Sequence, residues 1–400
     1  MSAIKYGPLI IGILLALSVA VYSNNIAVQS NKPNTVLRVA YPDSLDESDV
    51  TNIYGYQNVL AQEGITVIPT YFDSTTLAYL ALISGQADIA QVAPGVMWKG
   101  ILNGGQVTCL GGDILSASFI MITGAGMTQA SQLLGKTVED AGPGTETRAL
   151  DFYNFNQSGV PTNTAGPNPN SVYLKASGGN SVRVHDLEAG LTGGIYVDSF
   201  ILPDISNPSV NNSAHGGPFH VLFPPATSQI ICHALVTVSW LNNPANQKII
   251  VQYLKALFIA ERYFVSNPTQ AVPYMASQLP ETPQSELTFS SMYYPTHLTY
   301  SPWGIFNFQG QYSIQNLFAE TNTLLVGAGQ IPRPVANDSI QPWGVANKWF
   351  EYQALQQLGP YDFPCTPYLN SGYLTPSYIS TLQQIVPSSL GGVASDCSSV

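Results

Sequence analysis

Hydroxyl side chains cluster at two places where an apolar run gives way to a helical pattern. They are Ser74, Thr75 and Thr76 after residues 65–71, and Thr145 and Thr147 on either side of Glu146. The first N–H groups of a helix lack partners within the helix, and together with the helix dipole they attract anions. Hydroxyls beside them favour a sulfonate or a carboxylate, although the same side chains are also ordinary helix caps.

Charged residues near these clusters leave the sign of the ligand open. Arg148 would add positive charge to a bound anion, or would lie in solvent one turn into its helix. Glu146 argues against a purely anionic ligand. Asp198, after a short apolar run, would bind a ligand amine or cap the next turn.

The candidate ligand-binding residues lie in loops after predicted strands, or bring an aromatic ring or a charge close to those loops. In open α/β sheets, ligands bind outside the carboxyl ends of the strands. The candidates are Tyr41, Asp43, Ser44, Ser74, Thr75, Thr76, Pro94, Gly95, Trp98, Ser118, Gly144, Thr145, Glu146, Thr147, Arg148, Tyr196 and Asp198. For the aromatic residues, burial in the core is the competing interpretation.

No catalytic constellation is apparent. The five histidines show no HExxH spacing, and neither a nucleophile elbow GxSxG nor a phosphate-binding loop with its lysine occurs. No CxxC pair is present to bind zinc. We therefore predict no catalytic residue, no resident metal and no cofactor.

The elements that must position these loops alternate between strand and helix patterns. Strands are predicted at residues 36–41, 65–71, 87–92 and 106–110, and a second series at 119–123, 136–138, 171–175 and 194–197. Such alternation predicts parallel sheets with crossover helices. A third, mainly helical part follows, led by a long amphipathic helix at 244–264. Shorter helices are predicted at 185–191, 342–357 and 377–386.

Composition excludes some functions and raises one hypothesis. The 400 residues carry only 9% charged side chains and a net charge of −11, without a basic cluster, so nucleic-acid binding is not expected. Paired carboxylates lose their stabilising charge as the pH falls, so a protein with few of them loses less. The composition therefore suggests adaptation to an acidic medium, with compositional drift as the alternative.

The first 30 residues predict export. Lys5 precedes an apolar run over residues 8–22, which is typical of a signal peptide. With extension to Ala27, the run approaches the length of a membrane-spanning helix, so it would be cleaved or would stay as an anchor. We expect the protein at the extracellular face of the cell membrane, tethered or secreted. Sequons at Asn156, Asn211 and Asn337 fit glycosylation there.

Four cysteines fit an exported chain with two disulfides. Cys365 with Cys397 would fasten the C-terminal tail, and Cys109 with Cys232 would join distant segments. Four free, buried thiols are the alternative.

Six segments, in this order, resemble one family. They are residues 37–41 (LRVAY), 82–90 (LISGQADIA), 134–138 (LGKTV), 142–145 (GPGT), 197–203 (VDSFILP), and the helical region marked by Asn243 with Pro244 and Asn267 with Pro268. The chain is thus similar, over residues 36–294, to ABC-transporter solute-binding proteins of the periplasmic-binding-protein type 2 fold. The subgroup it resembles binds nitrate, sulfonates, taurine and thiamine precursors.

The resemblance implies a two-lobed α/β fold with a helical C-terminal region, preceded here by the N-terminal signal or membrane helix. Lobe 1 would comprise residues 34–122 and 228–358, lobe 2 residues 123–227, and a tail residues 359–400. Cys109 and Cys232 would then meet beside the hinge. The implied function is capture of a small organic or inorganic solute and its delivery to an ABC permease. The alternatives are a structural cell-surface protein and an enzyme similar to the thiamine-pyrimidine synthases, against which the export signal counts.

Overall fold

Two six-stranded sheets organise the chain, and a helical C-terminal part packs against them. The computed structural model describes residues 35–42, 44–113, 119–198, 217–223, 231–297, 299–310 and 313–400. The predicted N-terminal segment lies outside these residues. Among the described helices, none combines the length and apolar character needed to cross a bilayer.

Sheet 1 forms the centre of lobe 1. Its strands are β1 (Thr35–Tyr41), β2 (Ile65–Tyr71), β3 (Ile89–Val92), β4 (Val107–Cys109), β5 (Gly112–Asp113) and β12 (Ile231–Thr237). The order is β2-β1-β3-β12-β4, with β5 also paired to β12. The first three strands are parallel, and β12 runs antiparallel to its neighbours. All four residues of β3 are buried, as expected for a strand covered on both faces.

Sheet 2 forms the centre of lobe 2. Its strands are β6 (Phe119–Thr123), β7 (Thr137–Asp140), β8 (Thr162–Asn163), β9 (Val172–Ala176), β10 (Gly194–Asp198) and β11 (His220–Phe223). The order is β11-β6-β10-β7-β9-β8, in which β6 pairs antiparallel with both neighbours. Because β12 returns from lobe 2 into the middle of sheet 1, the chain crosses between the lobes twice. The expected two-lobed α/β fold with a helical C-terminal region is confirmed.

The helices that flank the sheets begin close to strand ends. Those of the two lobes are α1 (Val50–Gly55, continued by tighter and wider turns to Glu63), α2 (Thr75–Ile83), α3 (Pro94–Leu102), α4 (Glu146–Gln157) and α5 (Asn180–Glu188). The later ones are α6 (Val238–Leu241), α7 (Pro244–Ser266), α8 (Pro268–Gln278), α9 (Gln284–Thr296), α10 (Ile314–Gly327), α11 (Trp349–Leu358) and α12 (Pro376–Ile385). A two-stranded sheet, β13 (Tyr361–Phe363) with β14 (Gly391–Val393), lies in the tail.

Two predicted helices have wrong boundaries. The helix predicted at 185–191 is α5, which begins at Asn180 directly after Gly179 and ends at Glu188. The helix predicted at 342–357 begins only at Trp349, because Gly344 has a left-handed backbone (φ 81°) and the Asn347 side chain accepts the Trp349 N–H at 2.9 Å. The helix predicted at 377–386 is confirmed as α12.

Two disulfides fasten the structure, in the pairing considered from the sequence. Cys109 of β4 is bonded to Cys232 of β12, with Cα atoms 5.9 Å apart, and Cys365 to Cys397, with Cα atoms 5.0 Å apart. The first bond closes a loop of 123 residues at the edge of the lobe crossing. In the chain-entropy model, a loop of that length gives the larger stabilisation of the two.

Glu351 of α11 connects the C-terminal part to the segment before the first crossing. The side chain is fully buried; Oε1 accepts the Gly112 N–H at 3.1 Å, and Oε2 accepts the Phe306 N–H at 2.9 Å and the Asn307 Nδ2 at 3.3 Å. One carboxylate therefore satisfies the backbone donors of the half-buried Gly112 and the buried Phe306.

We expect Glu351→Ala to lower the free energy of unfolding by about 3 kcal/mol, because buried donors left unsatisfied cost about 1–3 kcal/mol each. Glu351→Gln should lower the free energy of unfolding by a smaller amount, since it keeps one acceptor oxygen. Urea denaturation followed by circular dichroism measures both. The exposed Glu320→Ala on α10 is the control, and equal stability of Glu351→Ala and Glu320→Ala would contradict the expectation.

Candidate functional site

A cavity of about 150 Å³ lies between the two lobes. Its walls are the segments that follow β1, β2 and β3 in lobe 1 and those that follow β7 and β9 in lobe 2. From lobe 1 they are Pro42, Asp46, Ser48, Asp49, Asp73, Ser74, Thr75, Gln91 and Ala93. From lobe 2 and the crossings they are Phe119, Ala141, Thr145, Glu146, Thr147, Ser177, Gly178, Gly179, Asn180, Arg183 and Ile231, and from the C-terminal part Tyr293, Tyr294 and Thr299. We call this space the interlobe cavity.

Hydroxyl groups of both lobes line the cavity and also hold the loops in place. Ser74 Oγ accepts the Leu77 N–H at 3.3 Å and so caps α2, while Thr75 Oγ1 accepts the Ala93 N–H at 2.9 Å. Thr145 Oγ1 caps α4 by accepting the Arg148 N–H at 3.3 Å, and Thr147 Oγ1 accepts the Ala141 N–H at 3.1 Å. These residues therefore cap helices or hold loops and also belong to the cavity wall, so the two interpretations are compatible.

The charged residues of the described lobe 1 wall are the carboxylates Asp46, Asp49 and Asp73. Asp46 Oδ1 accepts the Ser48 N–H at 2.8 Å and its hydroxyl at 2.6 Å, and this turn places Asp49 directly before α1. Between them Glu47 is buried, and burial raises its pKa to about 8, aided by the charges of Asp46 and Glu286. The neighbouring carboxylates thus disfavour further negative charge at this wall.

Glu146 reaches from lobe 2 toward lobe 1. It is 2% exposed, and burial raises its pKa to about 8, opposed by hydrogen bonds from the backbone N–H groups of Glu146 itself and of Gly95. Gly95 belongs to the first turn of α3 in lobe 1. The other carboxyl oxygen, Oε1, is buried without a hydrogen-bond partner.

Arg183 is the basic residue of the described cavity wall. It is buried in the first turn of α5, where Nη1 donates to the Gly178 carbonyl at 2.9 Å and Nη2 to Asn180 Oδ1 at 2.7 Å. These bonds fold the loop after β9 around the guanidinium. Behind it, burial raises the pKa of Asp151 well above its usual range, with a further contribution from Asp140.

Several predicted site residues lie in the core instead of the cavity wall. Tyr41 is buried with its hydroxyl against that of Tyr56, and Trp98 is buried against Phe318, with ring centroids 5.2 Å apart. Tyr196 is buried in lobe 2 beside Asn154. These large side chains belong to buried strand or helix faces, where burial of apolar surface determines their position.

Arg148 also lies away from the cavity wall. Its Nε forms a buried ion pair with Asp140 and its Nη2 donates to the Leu174 carbonyl at 3.3 Å, so its charge serves the interior of lobe 2. Ser44 and Thr76 are exposed, and neither is among the wall residues. Asp43, Ser118 and the side chain of Asp198 lie outside the described residues.

Gly95 and Gly144 take part in the contact between the lobes, and Pro94 lies next to it in the chain. A Cβ atom at Gly95 would lie 2.0 Å from the Gly144 carbonyl oxygen and 3.2 Å from Leu325 Cδ2. Pro94 directly precedes Gly95 at the start of α3. The Gly144 N–H donates to Gln330 Oε1 at 2.9 Å, so the C-terminal part also holds the lobe 2 loop.

Some wall residues have signals that sequence reasoning missed, and others have none. Ser177, Gly178, Gly179 and Asn180 follow a predicted strand, so the rule applied to other loops would have included them. Tyr293, Tyr294 and Thr299 come from α9 and the turn after it. No local pattern indicates that this distant helix closes the cavity.

The fold and the position of the cavity define the periplasmic-binding-protein class of structure. The chain is similar to the alkanesulfonate-binding protein SsuA of Xanthomonas axonopodis pv. citri, solved with bound MOPS, at 13% identity over 76% of this chain and 96% of that one, with a TM-score of 0.57. It is also similar to a ligand-binding component of an ABC-type import system from Staphylococcus aureus, solved with zinc, at 13% identity over 80% and 99% of the chains, with a TM-score of 0.54.

A third similar structure is a Candida albicans protein, described as defining a new family with the generic periplasmic-binding-protein fold. Its identity is 15% over 76% of this chain and 92% of that one, with a TM-score of 0.56. No protein-family model and no curated protein matches the sequence. At these identities the likeness establishes the fold.

Proposed function

We propose that this protein is an extracytoplasmic solute-binding protein that delivers a small solute to an ABC permease. The observation that carries the proposal is the interlobe cavity, whose walls come from both lobes at the carboxyl ends of their strands. A solute that contacts both walls binds the closed arrangement more tightly than an open one, and so shifts the population toward closure. The permease would then recognise the closed form.

The similar structures support this proposal, because two of those described above are named as a solute-binding protein and an import component. The predicted export segment, and with it a position at the extracellular face of the membrane, is part of the same proposal. Glycosylation fits it too: Asn156 and Asn337 are exposed, and Asn211 lies outside the described residues.

A thermal-shift panel on the purified full-length chain tests the proposal. Sulfonates, nitrate, carboxylates, amines, pyrimidines, sugars and short peptides would each be titrated. A solute that binds only the native state stabilises it by about 2.7 kcal/mol at 100 times its Kd. We expect a saturable rise in Tm with one chemical class. A flat response to all of them, with ordered assemblies seen by electron microscopy, would favour a structural role instead.

A further inference from the structure

The charged residues of the interlobe cavity are unequally distributed. Asp46, Asp49 and Asp73 from lobe 1 and Glu146 from lobe 2 face a single basic residue, Arg183, among the described wall residues. An anion placed in this cavity would meet Arg183 but also these carboxyl groups. A cation would be attracted by the three aspartates of lobe 1, and it would favour the ionised form of Glu146, whose pKa burial raises to about 8.

Glu146 supplies an independent indication of a ligand. It is nine-tenths buried or more, it belongs to the cavity wall, and its Oε1 has no hydrogen-bond partner. A buried polar atom without a partner is costly, and such groups in native proteins require an explanation. A hydrogen-bond donor on a bound solute would satisfy this oxygen.

The aspartates of the lobe 1 wall also act on two ionisable residues next to it. The pKa of Glu47, next to Asp46 in the chain, is raised by burial and then by Asp46 and Glu286. The pKa of Tyr71 is raised by burial and then by Asp49 and Asp46. Burial is the larger cause of both shifts, and the smaller contribution of the aspartates is one that a cationic group in the cavity would offset.

The arrangement suits an organic cation better than a metal ion. Among the described residues, the one group of ligating atoms close enough together for a metal is Cys365, Asp396 and Cys397, and its two sulfurs form a disulfide. No three carboxyl groups of the described wall therefore lie close enough together to hold a metal ion. A cavity of this volume accommodates a solute of about the size of benzene.

We infer that the interlobe cavity takes a small organic solute with a cationic nitrogen, which lies between Asp46, Asp49 and Asp73 of lobe 1 and Glu146 of lobe 2. The inference rests on the proposed function and specifies its solute class. Arg183, on the lobe 2 side, would then contact an acceptor or an anionic end of the same solute. A zwitterion with its amine toward lobe 1 satisfies both walls.

Isothermal titration calorimetry on the full-length chain, with ligands matched in shape, tests the inference. The ligands are cyclohexylammonium, cyclohexanol and cyclohexanecarboxylate, the corresponding propyl series, the zwitterion β-alanine, and calcium and zinc chloride. We expect an ammonium ion or the zwitterion to bind at least tenfold more tightly than the neutral and anionic partners. Preference for an anion, a neutral solute or a metal ion would overturn the inference while leaving a solute-binding function intact. Absence of saturable binding by every ligand would count against both proposals.

Variants localise the cation. Glu146→Gln keeps the shape of the side chain and an acceptor for the Gly95 N–H. Asp73→Asn changes an exposed residue, so we expect it to leave folding intact. Each should weaken binding of the preferred cation at least tenfold and leave binding of its neutral analogue unchanged. Asp362→Asn, an exposed neutralisation in β13 of the tail, is the matched control. Unchanged cation affinity in both wall variants would overturn the assignment.

Discussion

The free energy of unfolding should rise by several kcal/mol as the pH is lowered from 8 to 5. The cause is a set of buried carboxyl groups: burial raises the pKa of Glu47 and of Glu146 to about 8, and that of Asp151 well above its usual range. In the unfolded chain the same groups titrate near pH 4. Between pH 4 and pH 8 the folded state therefore binds more protons, and its stability falls as the pH rises.

Two histidines, the buried His233 and the half-buried His297, oppose this rise in stability at lower pH. Burial lowers the pKa of His233 to about 3 and also lowers that of His297. A histidine whose pKa is lowered on folding takes up its proton first in the unfolded chain, below about pH 6.5, so the contribution of both histidines to stability declines as the pH falls. Because three carboxyl groups oppose two histidines, we expect maximal stability near pH 4–5.

Urea denaturation at pH 8, 7, 6, 5, 4 and 3 measures this profile. Glu47→Gln and Glu146→Gln should each flatten the rise between pH 8 and pH 5, whereas the exposed Asp362→Asn should leave it unchanged. A wild-type stability that is equal at pH 8 and pH 5, or larger at pH 8, would contradict the expectation. It would also remove the physical support for the acid adaptation that the composition suggests.

Substitution of Gly95 by alanine should lower solute affinity about 100-fold while leaving each lobe folded. The new Cβ atom would lie 2.0 Å from the Gly144 carbonyl oxygen, a distance that real Cβ contacts do not reach. Since Gly144 lies on the other lobe, the clash is relieved when the lobes separate. The variant therefore favours an open arrangement in which the solute contacts one wall alone. Because the closed form is then a smaller fraction of the protein, the apparent affinity for the solute falls in proportion to that fraction.

Small-angle X-ray scattering and calorimetry together measure this effect. The radius of gyration of Gly95→Ala should exceed that of the wild type in the presence of the solute identified by the panel. Gly327→Ala, in α10, is the control, because a Cβ atom there meets nothing within 4 Å. Equal affinity and equal dimensions in Gly95→Ala and the wild type would show that the lobes do not meet at this point in solution.

Much of the architecture follows from local patterns in the sequence. Alternating strand and helix patterns predict both sheets, and caps such as Ser74 and Thr145 mark helix starts because their geometry is set by residues nearby in the chain. The cysteine pairs are restricted to a few combinations, and the resemblance places Cys109 beside Cys232. The helix starts at Asn180 and Trp349 are harder to predict from the sequence, because glycine turns and an asparagine side chain determine them and the hydrophobic periodicity does not.

The site was less predictable because it depends on contacts between distant segments. Arg148 has the sequence position of a ligand contact, yet its guanidinium turns inward to Asp140, and only the packing of lobe 2 determines this. The arginine of the cavity wall is Arg183 instead, and the sequence pattern places the start of its helix after this residue. Tyr293 and Tyr294 arrive from a helix more than 100 residues from the loops they face, which no local pattern encodes.

The helix α10 contacts both lobes, with Phe318 against Trp98 of α3 in lobe 1 and Leu324 against the core of lobe 2. Gln330, three residues after the end of this helix, accepts the Gly144 N–H of lobe 2, so this region adds a noncovalent connection between the lobes to the two chain crossings. Separation of the lobes must therefore break this contact as well as the contacts with the solute. The rate constant for solute release would then depend on how often α10 detaches from lobe 2, and residence time in the cavity could change through substitutions that leave the cavity wall untouched.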